Sequence, residues 1–88
     1  MIKLRLYIVG QTPRSQETVG DLKKVFGNGT GAGGHSFDVI DLLTSPEAAE
    51  LDAVFATPTL VKFHPLPVRK LIGDFSNRDG VLSCLDLT

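Results

Sequence analysis

The feature that most constrains the fold is Ala56-Thr57-Pro58-Thr59-Leu60, a Thr-Pro step immediately in front of a short apolar run. Proline has no N–H and tolerates the cis bond, so it suits a sharp turn into a strand. The residue before a proline avoids helical geometry, so any preceding helix must stop before Thr57. A second proline-rich stretch, His64-Pro65-Leu66-Pro67, divides the following apolar sequence into two short β runs, 59–63 and 68–72.

The first half supplies a different pattern. Ile2, Leu4, Leu6 and Ile8 alternate with Lys3, Arg5 and Tyr7, the period of a strand. Thr12-Pro13 then reads as a helix N-cap with proline at the first helical position. Val19, Leu22, Val25 and Phe26 form one face of that helix, which should end near Gly27. The glycine-rich stretch 27–34 follows a helix and contains no Gly-Lys-Ser/Thr, so it reads as a flexible connection rather than a phosphate loop. Residues 36–43 read as a second, rather buried strand. Ser45-Pro46-Glu47 reads as another cap, opening a helix through Ala48, Ala49 and Leu51. Ser76-Asn77-Arg78-Asp79 reads as a capping box, and Val81, Leu82 and Leu85 give the last helix its apolar face.

The order is therefore β-α-β-α-β-β-α in one domain, 1–88. A βαβ unit followed by an α-β-β-α unit predicts an α/β, thioredoxin-like fold with a mixed four-stranded sheet. In such a fold the turn after the first strand and the Thr-Pro loop share one face. A thiol oxidoreductase carries Cys-x-x-Cys in that turn. Here it reads Gly10-Gln11-Thr12-Pro13-Arg14-Ser15, which leaves residual thiol chemistry through Cys84 as the weakest of three functional readings.

Bulk properties exclude several classes. The 88 residues are 42% hydrophobic and 22% charged, ordinary for a soluble globular domain. A net charge of −1 with scattered Lys and Arg gives no basic face for nucleic acid. No apolar run approaches the roughly 20 residues that span a bilayer, and the N-terminus lacks the plan of a signal peptide. A single cysteine fits a reducing compartment, so a cytoplasmic protein is expected. His35 and His64 have no partners at metal-ligand spacing, so no metal or cofactor is expected. Asp41, Asp52, Asp74, Asp79 and Asp86 form no recognisable pair with a nucleophile or base, and no enzyme activity is expected.

The segments together resemble the KaiB circadian-clock family. Leu6-Tyr7-Ile8-Val9-Gly10-Gln11-Thr12-Pro13-Arg14-Ser15 is similar to its opening motif. Val39-Ile40-Asp41, Pro46, Ala56-Thr57-Pro58-Thr59-Leu60 and Pro67-Val68-Arg69-Lys70-Leu71-Ile72-Gly73-Asp74 continue it in order, as do Ser76-Asn77-Arg78 and Leu85-Asp86-Leu87. The resemblance implies a regulator without catalysis of its own that binds a KaiC-like RecA-type ATPase. It also implies fold switching, in which the second half passes between a self-associating ground-state fold and the thioredoxin-like, partner-binding fold. Uncatalysed X–Pro isomerisation over tens of seconds is slow enough to time such a change. The alternative function is a thioredoxin-like sensory domain docking in a SasA-type histidine kinase pathway.

On this reading Lys62, Arg69, Lys70 and Asp74 are the candidate partner contacts, with at least one of the three cations facing outward from the sheet. Pro58, Pro65, Pro67, Cys84 and Asp86 are the candidate structural or fold-switch positions. Pro58 is favoured as the structural cis-proline of the fold, while Pro65 and Pro67 fit a stiff hairpin connection and a switching role equally. Cys84, beside Leu85 and after Leu82, is expected to be a buried, inert thiol. It stands where the family commonly has glycine. Because glycine costs about 0.8–1.0 kcal/mol relative to alanine in a helix, and cysteine less, the thioredoxin-like state is expected to be favoured. Asp38, Ala53 and Glu17 each remove positive charge that the family often carries, which points to a divergent partner as readily as to a clock-type KaiC. On the same resemblance, the acidic tail of many clock members is not expected after Thr88.

Overall fold

The computed structural model describes residues 2–26, 35–73 and 75–87. The glycine-rich stretch 27–34 and the candidate contact Asp74 lie outside them. The elements follow the expected order: β1 (Ile2–Ile8), α1 (Pro13–Phe26), β2 (His35–Asp41), α2 (Ala48–Leu51), β3 (Thr59–His64), β4 (Arg69–Ile72) and α3 (Arg78–Cys84). The sheet is mixed and ordered β2-β1-β3-β4, with β1 parallel to β2, and β3 antiparallel to both β1 and β4. This is the thioredoxin-like plan.

Alternation along β1 sorts the sheet into two faces. Leu4, Leu6 and Ile8 point one way and are essentially buried. The register puts Phe37, Leu60 and Leu71 beside them. Leu22 and Val25 of α1, Phe75, and Val81 and Leu85 of α3 close the core over this face. Burying a leucine side chain of this kind contributes about 1.5–3 kcal/mol. Arg5 and Tyr7 point to the other face, beside Val61 and Thr59.

The first helix begins as the sequence implies. The Thr12 hydroxyl accepts from the Ser15 N–H at 3.1 Å, and Pro13 opens the helix. Gly10 just before it has φ +75°, and a Cβ there would lie 3.0 Å from Leu43 Cδ1. Only glycine satisfies both conditions at that turn.

Two helix starts differ from expectation. Ser45 and Pro46 do not open α2. The bonds Ala48 N–H to Ser45 O and Ala49 N–H to Pro46 O span three residues, so 45–49 is a tightened turn, and the helix proper runs for four residues. At α3 the cap is Asn77, not Ser76: its side chain accepts from the Gly80 N–H at 3.0 Å. Both residues are cap formers by type, and the second is the one used.

The two short helices end alike. After α2, Val54 N–H bonds Ala49 O and Ala53 N–H bonds Glu50 O, with Ala53 at φ 51°. After α3, Leu87 N–H bonds Leu82 O and Asp86 N–H bonds Ser83 O, with Asp86 at φ 60°. Both are Schellman motifs with a left-handed residue where glycine is usual. Leu82 and Leu87, the apolar pair that accompanies such a motif, both pack against the core. The peptide bonds Thr57–Pro58, His64–Pro65 and Leu66–Pro67 are cis.

Candidate interaction surface

β4 is an edge strand, and its sequence decides what that edge presents. Arg69 and Lys70 alternate across it and are both exposed. Val68 and Ile72 stand in solvent at 47% and 60% exposure, and Leu66 in the preceding loop at 77%. The β4 edge therefore mixes two cations with apolar side chains. Such a surface suits a partner that supplies acidic and apolar groups together.

Lys62 does not belong to it. Its side chain is only 1% exposed, because it shares parity with Leu60 and lies opposite Leu4 on the face covered by α1 and α3. It is thus corrected from a partner contact to an interior residue. Its cross-strand neighbour is Arg69.

The expectation for Cys84 also needs correction, since the thiol is exposed. Val81 and Leu85 lie one helical turn apart and point inward. At 100° per residue Cys84 falls about 105° from the middle of the stripe formed by Val81, Leu82 and Leu85. Adjacency to Leu85 in sequence misled; angular position was the informative signal. Asp86 is exposed and occupies the left-handed position of the motif that ends α3.

Two other carboxylates hold the scaffold together. Asp41 Oδ1 accepts from the N–H groups of Gly10 and Leu43, each at 2.9 Å, which fastens the β1–α1 turn to the end of β2. Those hydrogen bonds hold its carboxyl below the usual carboxylate range. Asp52, the C-cap of α2, takes the Tyr7 hydroxyl at 2.5 Å and the Arg5 guanidinium at 3.1 and 3.3 Å. Arg5 in turn lies 3.9 Å over the Phe63 ring. Burial first, then the hydrogen bond to Asp52 and its charge, push the Tyr7 phenol up to about 12. This cluster pins α2 to the sheet. These residues lie 45 and 47 positions apart, and no local pattern in the sequence joins them.

The family model for the KaiB domain matches residues 5–87. The chain is 46% identical over 84 residues to the circadian clock oscillator protein KaiB of Prochlorococcus marinus subsp. pastoris, covering 96% of this chain and 78% of that protein. The protein of the same name from Synechococcus elongatus is also 46% identical over 84 residues, with 96% and 81% covered. Among solved structures, the N-terminal domain of Synechococcus elongatus SasA superposes with TM-score 0.79 at 26% identity, covering 99% of this chain and 85% of that one. A yeast mitochondrial 1-Cys peroxiredoxin gives TM-score 0.71 at 20% identity, covering 97% and 76%, and shares the fold alone.

Proposed function

Because this chain belongs to the KaiB family, we propose that it is a clock regulator that works by binding, docking in the cytoplasm on a KaiC-like RecA-type ATPase. The observation that carries this reading is the family match over 5–87, together with 46% identity over 84 residues to a circadian clock oscillator protein. The surface that supports it is the β4 edge, with Arg69 and Lys70 offered to an acidic partner and Val68 and Ile72 supplying apolar contact. Asp74 joins this set on the family resemblance. The turn after β1, which would carry paired thiols in a redox enzyme of this fold, has none. Refolding of the second half is part of the same proposal. Pro58, Pro65 and Pro67 lie between the segments that would re-pair, and Cys84 and Asp86 end the helix that refolding would undo.

The test is a binding titration of the protein with a KaiC-like ATPase from the same genome. Charge reversal by Arg69→Glu or Lys70→Glu should weaken binding at least tenfold and remove most of the salt dependence of the association rate. Unchanged affinity in both variants would overturn the assignment of this edge.

A second reading rests on the SasA N-terminal domain as a structural neighbour. In it the chain docks in a SasA-type histidine kinase pathway. Direct binding to the kinase in the absence of the ATPase would favour that reading over the first.

A further inference from the structure

The segment between Ser45 and Ala56 carries α2 across the sheet face that Arg5 and Tyr7 share with Thr59 and Val61. Tyr7, Val61 and Thr59 are at most 1% exposed, although α1 and α3 pack on the opposite face. Among the described elements, only α2 and its flanks are placed to cover them. We propose that this segment is a detachable strap, latched to the sheet through Asp52, which opens as a unit while the strands and α3 stay folded.

The hydrogen bonds of the segment turn inward on themselves. Ala48 N–H bonds Ser45 O, Ala49 N–H bonds Pro46 O and Glu50 N–H bonds Glu47 O, while Ala53 N–H bonds Glu50 O and Val54 N–H bonds Ala49 O. Among the described residues, the hydrogen bonds from 46–55 to the sheet all run through one side chain, Asp52, to Arg5 and Tyr7. Firmer attachments lie at both ends. Before the segment, Leu42 N–H bonds Ile8 O at 2.8 Å, and the N–H groups of Thr44 and Ser45 bond Asp41 O. After it, the Thr59 hydroxyl donates to Ala56 O at 2.6 Å. The segment is fixed at its two ends and latched once in the middle.

Packing is the second, independent observation. No residue of α2 is buried. Ala48, Ala49 and Val54 are only half-buried, and each is small. The bulky apolar side chains stand in solvent instead, Leu51 at 67% exposure and Phe55 at 94%. The strap is therefore apolar on its outer side, the reverse of a helix held down by a hydrophobic stripe.

A helix of four residues has no stability of its own, so its internal hydrogen bonds are lost when the latch parts. Opening then uncovers Tyr7, Val61 and Thr59 and makes the second face of the sheet accessible. It differs from a refolding of the second half, because β3 and β4 keep their pairing throughout. The proposal does not depend on docking at β4.

Native-state hydrogen exchange of the full chain at increasing urea, read by two-dimensional amide NMR, tests it. The amides of Ala49, Glu50, Ala53 and Val54 should share one opening with a shallow urea dependence, roughly a hundredfold more frequent than that of the slowest β1 and β3 amides. Asp52→Ala should speed their exchange about tenfold or more, as expected for lost hydrogen bonds to a charged group. Adding Tyr7→Phe to Asp52→Ala should accelerate it no further, and Leu51→Ala, at an exposed site, should change it by less than about twofold. Exchange of the four amides on the same urea curve as β3, or in step with β3, β4 and α3 together, would overturn the strap. Unchanged rates in a folded Asp52→Ala variant would overturn the latch. Should that variant fail to fold, the wild-type urea series alone decides the proposal.

Discussion

Replacing Ala53 with glycine should stabilise this protein, although glycine usually weakens a fold. Ala53 sits at φ 51°, the left-handed position of the motif that ends α2, and it is exposed. Holding an L-residue there costs roughly 1–2 kcal/mol. Glycine removes that strain but gains about 0.4–1 kcal/mol of conformational freedom in the unfolded chain, which opposes folding. The difference is a net gain of about 0.5–1 kcal/mol, or on the order of 2–8 °C in Tm for a domain of this size. Urea unfolding followed by circular dichroism measures it, with an unchanged m-value showing that the two end states are preserved. Ala48→Gly in the same helix is the control. Its backbone is helical, so the same chemical change should cost up to about 1 kcal/mol there. Destabilisation by Ala53→Gly comparable with the control would mean that Ala53 is not left-handed in solution, and the capping argument would fail.

Three further outcomes follow from the same geometry. Asp41 has a depressed carboxyl pKa, so its contribution is present above the unfolded value near pH 4 and is lost as pH falls through the folded value. Asp41→Asn can keep both backbone hydrogen bonds through Oδ1 and should flatten the acid arm of a stability–pH curve, whereas Asp41→Ala should lose stability across the whole range. Tyr7 has a raised pKa, so its contribution is complete below pH 10 and disappears as pH rises towards 12. Tyr7→Phe should cost about 1.5–3 kcal/mol at neutral pH, the worth of a hydrogen bond to a charged group, and should remove that alkaline loss. Cys84 is exposed, so a thiol reagent should modify it in the native protein at close to the rate of an unfolded control. Strong protection would restore the buried-thiol expectation.

Much of the fold was legible because local and long-range preferences agree along most of the chain. The alternation of Ile2, Leu4, Leu6 and Ile8 reports a half-buried strand, and Thr12-Pro13 fixes the start of α1. Where two local signals compete, tertiary packing decides. Ser76 and Asn77 are both cap formers by type, and the chain caps α3 with the second. At Ser45-Pro46 the cap signal is present, but only four residues of regular helix follow before the chain must turn towards the Thr57–Pro58 loop. Residue type alone points Lys62 outward. Its parity with Leu60 places it inward, a pattern that its charge masks. The Arg5–Tyr7–Asp52 cluster was not legible at all, because it joins segments tens of residues apart that only the sheet topology brings together.

The most direct test of the central claim is backbone NMR of the second half, 50–87, alone and with a KaiC-like ATPase. The account predicts helical secondary shifts over Arg78–Cys84 and strand shifts over Thr59–His64 and Arg69–Ile72 in the free protein. On adding the ATPase, the largest perturbations should fall at Arg69 and Lys70. An extended 78–84 segment that becomes helical only on binding would contradict the argument that Cys84 favours the thioredoxin-like state. Absence of any perturbation on β4 would contradict the docking face.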